Sequence, residues 1–400
     1  MPPPTFNIVI ATIARPSLQH MLNSLQDQLE KDDCLTLLFD GVSEKDVNIN
    51  TDTLKCKVIK YYHETRLGSY GCAIREFYKN KCYKTDFVMY ADDDDEYIPD
   101  SFNKLRKLCV DKDKMYIFKM SFKPIEDRYV PNELNNMISD GNIGTPNGVI
   151  PFDINNKGTW GSNINGDYMF YKSIQSITTN IEYIDVLIYQ IRPHIVLSKL
   201  AEKYKLDKSI TTNCHNYIPT YTELFMNCRY SVKTLLEIGI GSIENGQMSG
   251  VIKYGYKTGN SLKCWSDYFV NSKIYGIDIF NHHELNTDKI TTYVADQGNS
   301  IDLDNVINKI NNKLDVIIDD GSHLLEHQVF SFMYLNKHLS NNGIYVIEDI
   351  QKHNLSKFKD LSAFPSHFQE YIHKYFKYTL YEGMNDNRSD DYMIVFTRLS

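Results

Sequence analysis

Strand-length apolar runs alternate with helix-length amphipathic ones, and they do so twice along the 400-residue chain. This alternation constrains the fold more than any other feature, because strand, crossover and strand in succession build parallel sheets with right-handed connections. The first series is Phe6–Ile13, Leu35–Val42, Lys57–Tyr62, Asp86–Tyr90 and Met115–Phe122. Between its first two members, Ser17–Leu29 places Leu18, Met21, Leu22, Leu25 and Leu29 at helical spacing. The second series is Thr234–Ile240, Lys273–Phe280, Lys289–Asp296, Leu314–Asp319 and Gly343–Ile350, closed by Tyr378–Met384 and Tyr392–Leu399. Ile195–Lys208 reads as a helix between the two. The expectation is an α/β chain of two tandem domains, residues 1–195 and 196–400.

Charge and composition exclude several classes. Lys plus Arg is 43 against 51 Asp plus Glu, for a net charge of −8, and no Lys/Arg tract occurs. A nucleic-acid partner is therefore not expected. Apolar stretches such as Ile184–Ile191 fall far short of the ~20 residues of a membrane span. The start lacks the basic region of a signal peptide, and the eight cysteines form no CxxC pair. These features predict a cytoplasmic protein with reduced thiols and no membrane span. No repeat of solenoid length is present. Residues 130–166 are rich in Asn and Gly, which predicts a surface loop or a substrate-binding lid.

Asp92-Asp93-Asp94-Asp95-Glu96 follows the run Asp86–Tyr90 directly. An acidic run is most often a solvated loop. At the carboxyl edge of a parallel sheet, however, ligands bind, and like charges there need a compensator. Mg²⁺ or Mn²⁺ bridging carboxylates and a diphosphate would serve. Together with Ile10–Ser17 after the first strand and Phe39-Asp40-Gly41 after the second, the run resembles a GT-A glycosyltransferase over about the first 190 residues. The resemblance implies a nucleotide-binding fold, a nucleotide-sugar donor, a glycan or glycoconjugate acceptor, and Mn²⁺ or Mg²⁺. It places Thr12 and Arg15 near the nucleotide, Asp40 at the base edge and Arg66 by the diphosphate or base. Asp92 and Asp93 would lie at the nucleotide sugar, and Asp92 and Asp94 would hold the metal. Asp167 matches the position of a catalytic base in an inverting enzyme, with a helix N-cap as the plain alternative. Arg75 is equally a functional cation or an ordinary salt-bridging helix residue.

Leu235-Leu236-Glu237-Ile238-Gly239-Ile240-Gly241 is an apolar strand ending in Gly-x-Gly. A dinucleotide site would want a third glycine at residue 244, where this chain has Glu, and a carboxylate there repels a pyrophosphate. The next two runs end in Asp278 and in Asp296-Gln297. This succession of strand-end acids resembles a class I S-adenosylmethionine methyltransferase. The two closing strands suit that seven-stranded Rossmann-like fold. Asp319-Asp320-Gly321-Ser322-His323 and Glu348-Asp349 then end two adjacent strands. Asp320, Glu348 and Asp349 can offer oxygens to Mg²⁺, and His323 can take a proton near neutral pH. His327, one turn further on, reads as structural.

With Asp207-Lys208, His215-Asn216-Tyr217 and Ser261–Phe269, the segment from about 205 to 352 resembles metal-dependent macrolide-sugar O-methyltransferases of the mycinamicin type and related cephalosporin-hydroxylase-like domains. The resemblance implies Asp320, Glu348 and Asp349 as Mg²⁺ ligands and His323 as the base. It also implies Glu237, Gly239, Gly241, Asp278, Asp296 and Gln297 around S-adenosylmethionine. The chain departs from the family between Gly241 and Gly259, where residue 243 is Ile and Tyr254 and Tyr256 occur.

The two halves together read as a bifunctional glycan-modifying enzyme. One domain would add a sugar and the other would methylate a sugar hydroxyl, which caps the chain. The alternatives are a methyltransferase half acting on a separate small molecule or amino sugar, and a sugar-binding scaffold with one inactive domain.

Overall fold

Every residue of β1 (Phe6–Thr12) and of β2 (Cys34–Asp40) is buried. Continuous burial of this kind requires cover on both faces of a sheet. These strands, with β3 (Lys57–His63) and β4 (Phe87–Asp92), form a parallel half-sheet in the order β3-β2-β1-β4. The helix Ser17–Leu25 buries Leu18, Met21, Leu22 and Leu25 against it, as the spacing predicts, although it stops short of Leu29. The computed structural model describes residues 2–132, 137–244, 246, 248, 250–382 and 388–400. Residues 133–136 of the Asn-rich stretch and Met384 of the predicted terminal strand lie outside the described residues.

The chain divides into two compact units, Met1–Val196 and Leu197–Ser400. The sheet of the first is mixed, where a parallel one was expected. It continues with β5 (Glu96–Tyr97), β6 (Met115–Ser121), β7 (Tyr129–Val130), β8 (Gly148–Pro151) and β9 (Ile181–Gln190). The order among described residues is β3-β2-β1-β4-β8-β6-β9-β5, with β7 on the flank of β6. Strand β8 runs antiparallel to both β4 and β6, whereas β9 is parallel to β6. So the described residues of the Asn- and Gly-rich stretch 130–166 are no simple loop. Its Gly148–Pro151 segment is an inner strand, fully buried.

In the second unit the described residues form a seven-stranded sheet. Its members are β10 (Thr234–Ile238), β11 (Lys273–Asp278), β12 (Ile290–Val294), β13 (Leu314–Asp319), β14 (Leu339–Ile347), β15 (Phe376–Tyr381) and β16 (Met393–Arg398). Their order is β12-β11-β10-β13-β14-β16-β15. The first five are parallel and β16 is antiparallel to β14. This is a Rossmann-like α/β sheet with a reversed last strand. The order turns back between β10 and β13, and a crevice opens at such a switch point beyond the strand ends. An aromatic core anchors the far half of the sheet. There Phe332 stacks on Phe396 with centroids 4.1 Å apart and meets Phe364 and Tyr345 edge-on.

Candidate functional site

At the switch point of the second unit, β10 gives way to two glycines with left-handed backbone, Gly239 at φ +88 and Gly241 at φ +73. A Cβ on Gly239 would lie 2.0 Å from the carbonyl oxygen of Asp320, and one on Gly241 2.5 Å from Tyr256 Oη. Only glycine permits this close crossing of the strand ends. The crossing leaves a cavity of about 780 Å³, lined by both glycines and by Asp278, Asp296, Gln297 and Asp320. Asp278 is fixed in that wall because its carboxylate accepts the Ile240 and Phe280 N–H groups at 2.9 and 3.0 Å.

Gln297 faces the cavity but spends its polar atoms on the neighbouring turn. It donates to Asp319 at 3.0 Å and accepts the Ser322 N–H at 2.7 Å. Glu237 departs from expectation. Wholly buried, it accepts from Ser261 Oγ at 2.7 Å and Trp265 Nε1 at 3.3 Å, and it is not part of the cavity lining. Burial, only partly offset by Lys208, pushes its carboxyl up to about 7.

Strands β13 and β14 run in parallel with Asp319 opposite Ile347, so the acids just beyond them, Asp320 and Glu348, are neighbours. His323 and Asp349 both adopt left-handed backbone, at φ +59 and +53, a disfavoured conformation for non-glycine residues that gathers at functional sites. Ligand atoms of Asp320, His323 and Asp349 all lie within 4.8 Å of one another. His323 Nε2 is 3.3 Å from Asp320 Oδ1, and Nδ1 is 3.5 Å from Asp349 Oδ2. Burial disfavours the imidazolium, but the bond to Asp320 and the charges of Asp349 and Asp320 outweigh it and hold His323 up at about 9. Burial likewise opposes the Asp320 anion, yet Lys208 and His323 keep its carboxyl below the usual range. Two carboxylates converging on one point suit a hard divalent cation.

Glu348, expected as a third metal ligand, differs. It receives the Tyr221 hydroxyl on one oxygen and Lys208 Nζ, at 2.6 Å, on the other. His327, read as structural, lines the same cavity, with Nδ1 2.9 Å from Ser322 Oγ.

Four residues that sequence reasoning gave no role surround these acids, and all come from one short segment before β10. Lys208 and Tyr221 meet Glu348. Tyr217 Oη donates to Asp349 at 2.7 Å, and His215 lies 3.4 Å from Asp349 and 3.0 Å from Asp391. The signal was indirect: so many strand-end acids require buried counter-charges.

In the first unit the four aspartates alternate. The side chains of Asp93 and Asp95 are buried, while those of Asp92 and Asp94 are 34% and 19% exposed, so Asp92 and Asp94 are the accessible pair. The compensating charge is arginine. Arg75, itself buried, donates to Asp92 at 2.6 Å, and Arg15 reaches Asp93 and Asp94. Thr12 Oγ1 donates to Asp93 at 2.5 Å. No preassembled group of three metal-ligating residues is found here among the described residues.

Asp40 also differs from expectation. It is buried and accepts the Leu67 and Gly68 N–H groups at 2.6 and 2.9 Å, so it anchors the loop that carries exposed Arg66. Asp167 lies inside the first turn of Gly166–Gln175, whose N-cap is Asn165. Burial and the nearby charge of Asp92 raise its carboxyl, against Arg75 and the Tyr168 N–H. Asp92, Arg75 and Asp167 thus belong to one electrostatic cluster.

No protein-family model matches the chain. Over 154 residues it is 34% identical to the 8-demethyl-8-(2-methoxy-alpha-L-rhamnosyl)-tetracenomycin-C 3'-O-methyltransferase of Streptomyces olivaceus, covering 38% of this chain and 36% of that protein. Against the mycinamicin VI 2''-O-methyltransferase of Micromonospora griseorubida it is 32% identical over 154 residues, with the same coverage of 38% and 36%. The chain therefore spans little more than a third of the length of these relatives. The solved structure of the MycE methyltransferase of the mycinamycin pathway, with Mg and SAH, is 24% identical over 51% of this chain and 54% of its own, at a TM-score of 0.39. Among the described residues no helix is long and apolar enough to cross a membrane.

Proposed function

We propose that the second unit transfers a methyl group from S-adenosylmethionine to a hydroxyl of a sugar-bearing compound. The observation that carries this reading is the meeting of Asp320, His323 and Asp349 in the lining of the switch-point cavity. The sequence relatives are O-methyltransferases whose names specify rhamnosyl tetracenomycin and mycinamicin VI. Asp278 and Asp296 in the cavity wall suit the hydroxyl groups of a nucleoside. When bound, S-adenosylmethionine supplies a methyl group on a cationic sulfur. Asp320 and Asp349 would hold a Mg²⁺ ion, which when bound lowers the pKa of a coordinated sugar hydroxyl.

The chain's own residues account for orientation and proton transfer. Asp278 and Asp296, at the ends of β11 and β12, face the cavity where two ribose hydroxyls would be held. Gln297 fixes the Ser322 turn, and so the approach of His323. His323 takes the proton of the acceptor hydroxyl as its oxygen becomes the nucleophile. Asp320 and Asp349 are the charges that raise His323, and a cation held by them would offset those charges and favour the neutral ring that accepts a proton.

For the first unit we propose transfer of a sugar from a nucleotide sugar to a glycan or glycoconjugate. Thr12 and Arg15 at and beyond the end of β1, Asp92 and Asp94 at and beyond the end of the neighbouring β4, and Asp167 within reach of the Asp92 charge support it, with Asp167 as base. Asp92, Asp93 and Asp94 already pair with Arg75 and Arg15, and they form no preassembled cation site among the described residues.

Calorimetry with S-adenosylmethionine tests the second unit: binding is expected, and its loss in Asp278→Ala. Nucleotide release from a panel of nucleotide sugars tests the first, and should be lost in Asp92→Asn/Asp94→Asn. Release from no donor would remove the glycosyltransferase reading and leave the methyltransferase standing.

A further inference from the structure

Lys208 is the least expected charge in the molecule. Its side chain is 1% exposed, and its Nζ meets Asp320 Oδ2, lies 2.6 Å from Glu348 Oε2 and 3.7 Å from Glu237 Oε1. Glu237 lies in β10, and Asp320 and Glu348 follow directly on β13 and β14, the adjacent strands that frame the crevice. An ammonium carries three donors and no acceptor: Lys208 donates to Asp320 and Glu348, and Glu237 adds a third carboxylate at ion-pair distance. Asp320 is shared: Oδ2 faces Lys208, and Oδ1 faces His323 at 3.3 Å. Lys208 therefore occupies the back of Asp320 and leaves its front to the cavity. Without a cation between them, Asp320, Glu348 and Glu237 would repel one another in a medium that screens poorly, and the strand-end carboxylates would turn apart.

We propose that Lys208 is a positioning residue for divalent-cation binding. Its ammonium, fixed among Glu237, Asp320 and Glu348, sets the strand-end carboxylates in place before a cation reaches Asp320 and Asp349. The inference rests on reading that cluster as a cation site. Groups that orient metal ligands without touching the metal typically govern affinity by 10–100-fold. Direct repulsion between Lys208 and an incoming cation acts the opposite way, so the sign of the change on removing the lysine separates a positioning group from a mere competitor.

The test is calorimetric titration of the full chain with Mn²⁺, alongside Lys208→Arg and Lys208→Met, with S-adenosylmethionine titrated separately into each. The expected result is Mn²⁺ binding ~10–100-fold weaker in Lys208→Met and within about threefold of wild type in Lys208→Arg, with S-adenosylmethionine affinity within about threefold in both. Wild-type or tighter Mn²⁺ binding by Lys208→Met overturns the proposal. Should Lys208→Met not fold, Lys208→Arg decides: retained Mn²⁺ affinity supports the proposal, and lost affinity with S-adenosylmethionine binding intact overturns it. Failure of the wild-type chain to bind Mn²⁺ has a different meaning, since it removes the cation-site reading itself and the inference with it.

Discussion

His323 and Asp349 face each other from two strained backbone positions, Nδ1 to Oδ2 at 3.5 Å, each residue holding a left-handed φ. Strain of order 1–3 kcal/mol per residue persists only where the surroundings enforce it. Here the enforcing contacts are Tyr217 and His215 on Asp349, and Asp320 on His323. If His323 is the base, His323→Ala lowers kcat for methyl transfer by ~10²–10⁴. S-adenosylmethionine binding measured by calorimetry should persist. Full activity in the variant would assign the proton transfer to another group.

His215 makes stability depend on pH. Burial disfavours its charged form, but Asp391, Cys214 and Asp349 outweigh that and raise it from 6.5 to about 11. The folded state binds this proton more tightly than the unfolded chain does. The stabilisation is therefore complete below pH 6.5 and is lost as pH rises through about 11. Urea unfolding of wild type and His215→Gln should show the gap between them shrinking from pH 6 to 10. A gap that widens with pH contradicts the assigned charge.

Gly239→Ala places a methyl 2.0 Å from the Asp320 carbonyl oxygen at a φ of +88. Two backbones must part to admit it, which moves Asp320 and the cavity wall together. The expected outcome is loss of both S-adenosylmethionine and Mn²⁺ binding, read by calorimetry on protein that circular dichroism shows to be folded. Retention of both would show that the crossing tolerates a side chain.

Phe332 is wholly buried between β16 and the helix Ser366–Tyr375, touching Phe396, Phe364, Phe368 and Phe376. Phe332→Ala leaves a cavity that such a ring cluster cannot close, at about 3–5 kcal/mol. Guanidinium unfolding followed by fluorescence measures it. A loss under about 1 kcal/mol would mean that the cluster repacks.

The second unit was the more legible in sequence. Its inner strands are continuous apolar runs, and each ends in an acid or a glycine that the sheet then delivers to the crevice. In the first unit, β5 and β7 have two residues each and β8 has four, too short to show a period. β8 also sits inside an Asn- and Gly-rich stretch that reads as loop, so the antiparallel half of the sheet was hidden.

The site divides along the same line. Asp320, His323 and Asp349 belong to compact motifs, and their meeting could be argued from strand ends. Lys208 and His215 acquire their meaning chiefly from partners more than 100 residues away in the chain, Glu348 and Asp349 among them, and Glu348 is legible as an acid but not as one paired with lysine and tyrosine. In the first unit, compensation of the Asp92–Asp95 run by Arg15 and Arg75 follows from tertiary placement that no local pattern announces.

Methyl transfer at Asp320, His323 and Asp349 requires S-adenosylmethionine, a divalent cation and an acceptor hydroxyl together. Its most direct test is transfer of label from S-adenosylmethionine to a panel of rhamnosides and other glycosides by the full chain, with Mg²⁺, with excess EDTA, and in Asp320→Asn. The account predicts a labelled sugar ether with Mg²⁺ that disappears with EDTA and in the variant. Label transfer indifferent to both EDTA and Asp320→Asn, or a wild-type chain that does not bind S-adenosylmethionine at all, would contradict it.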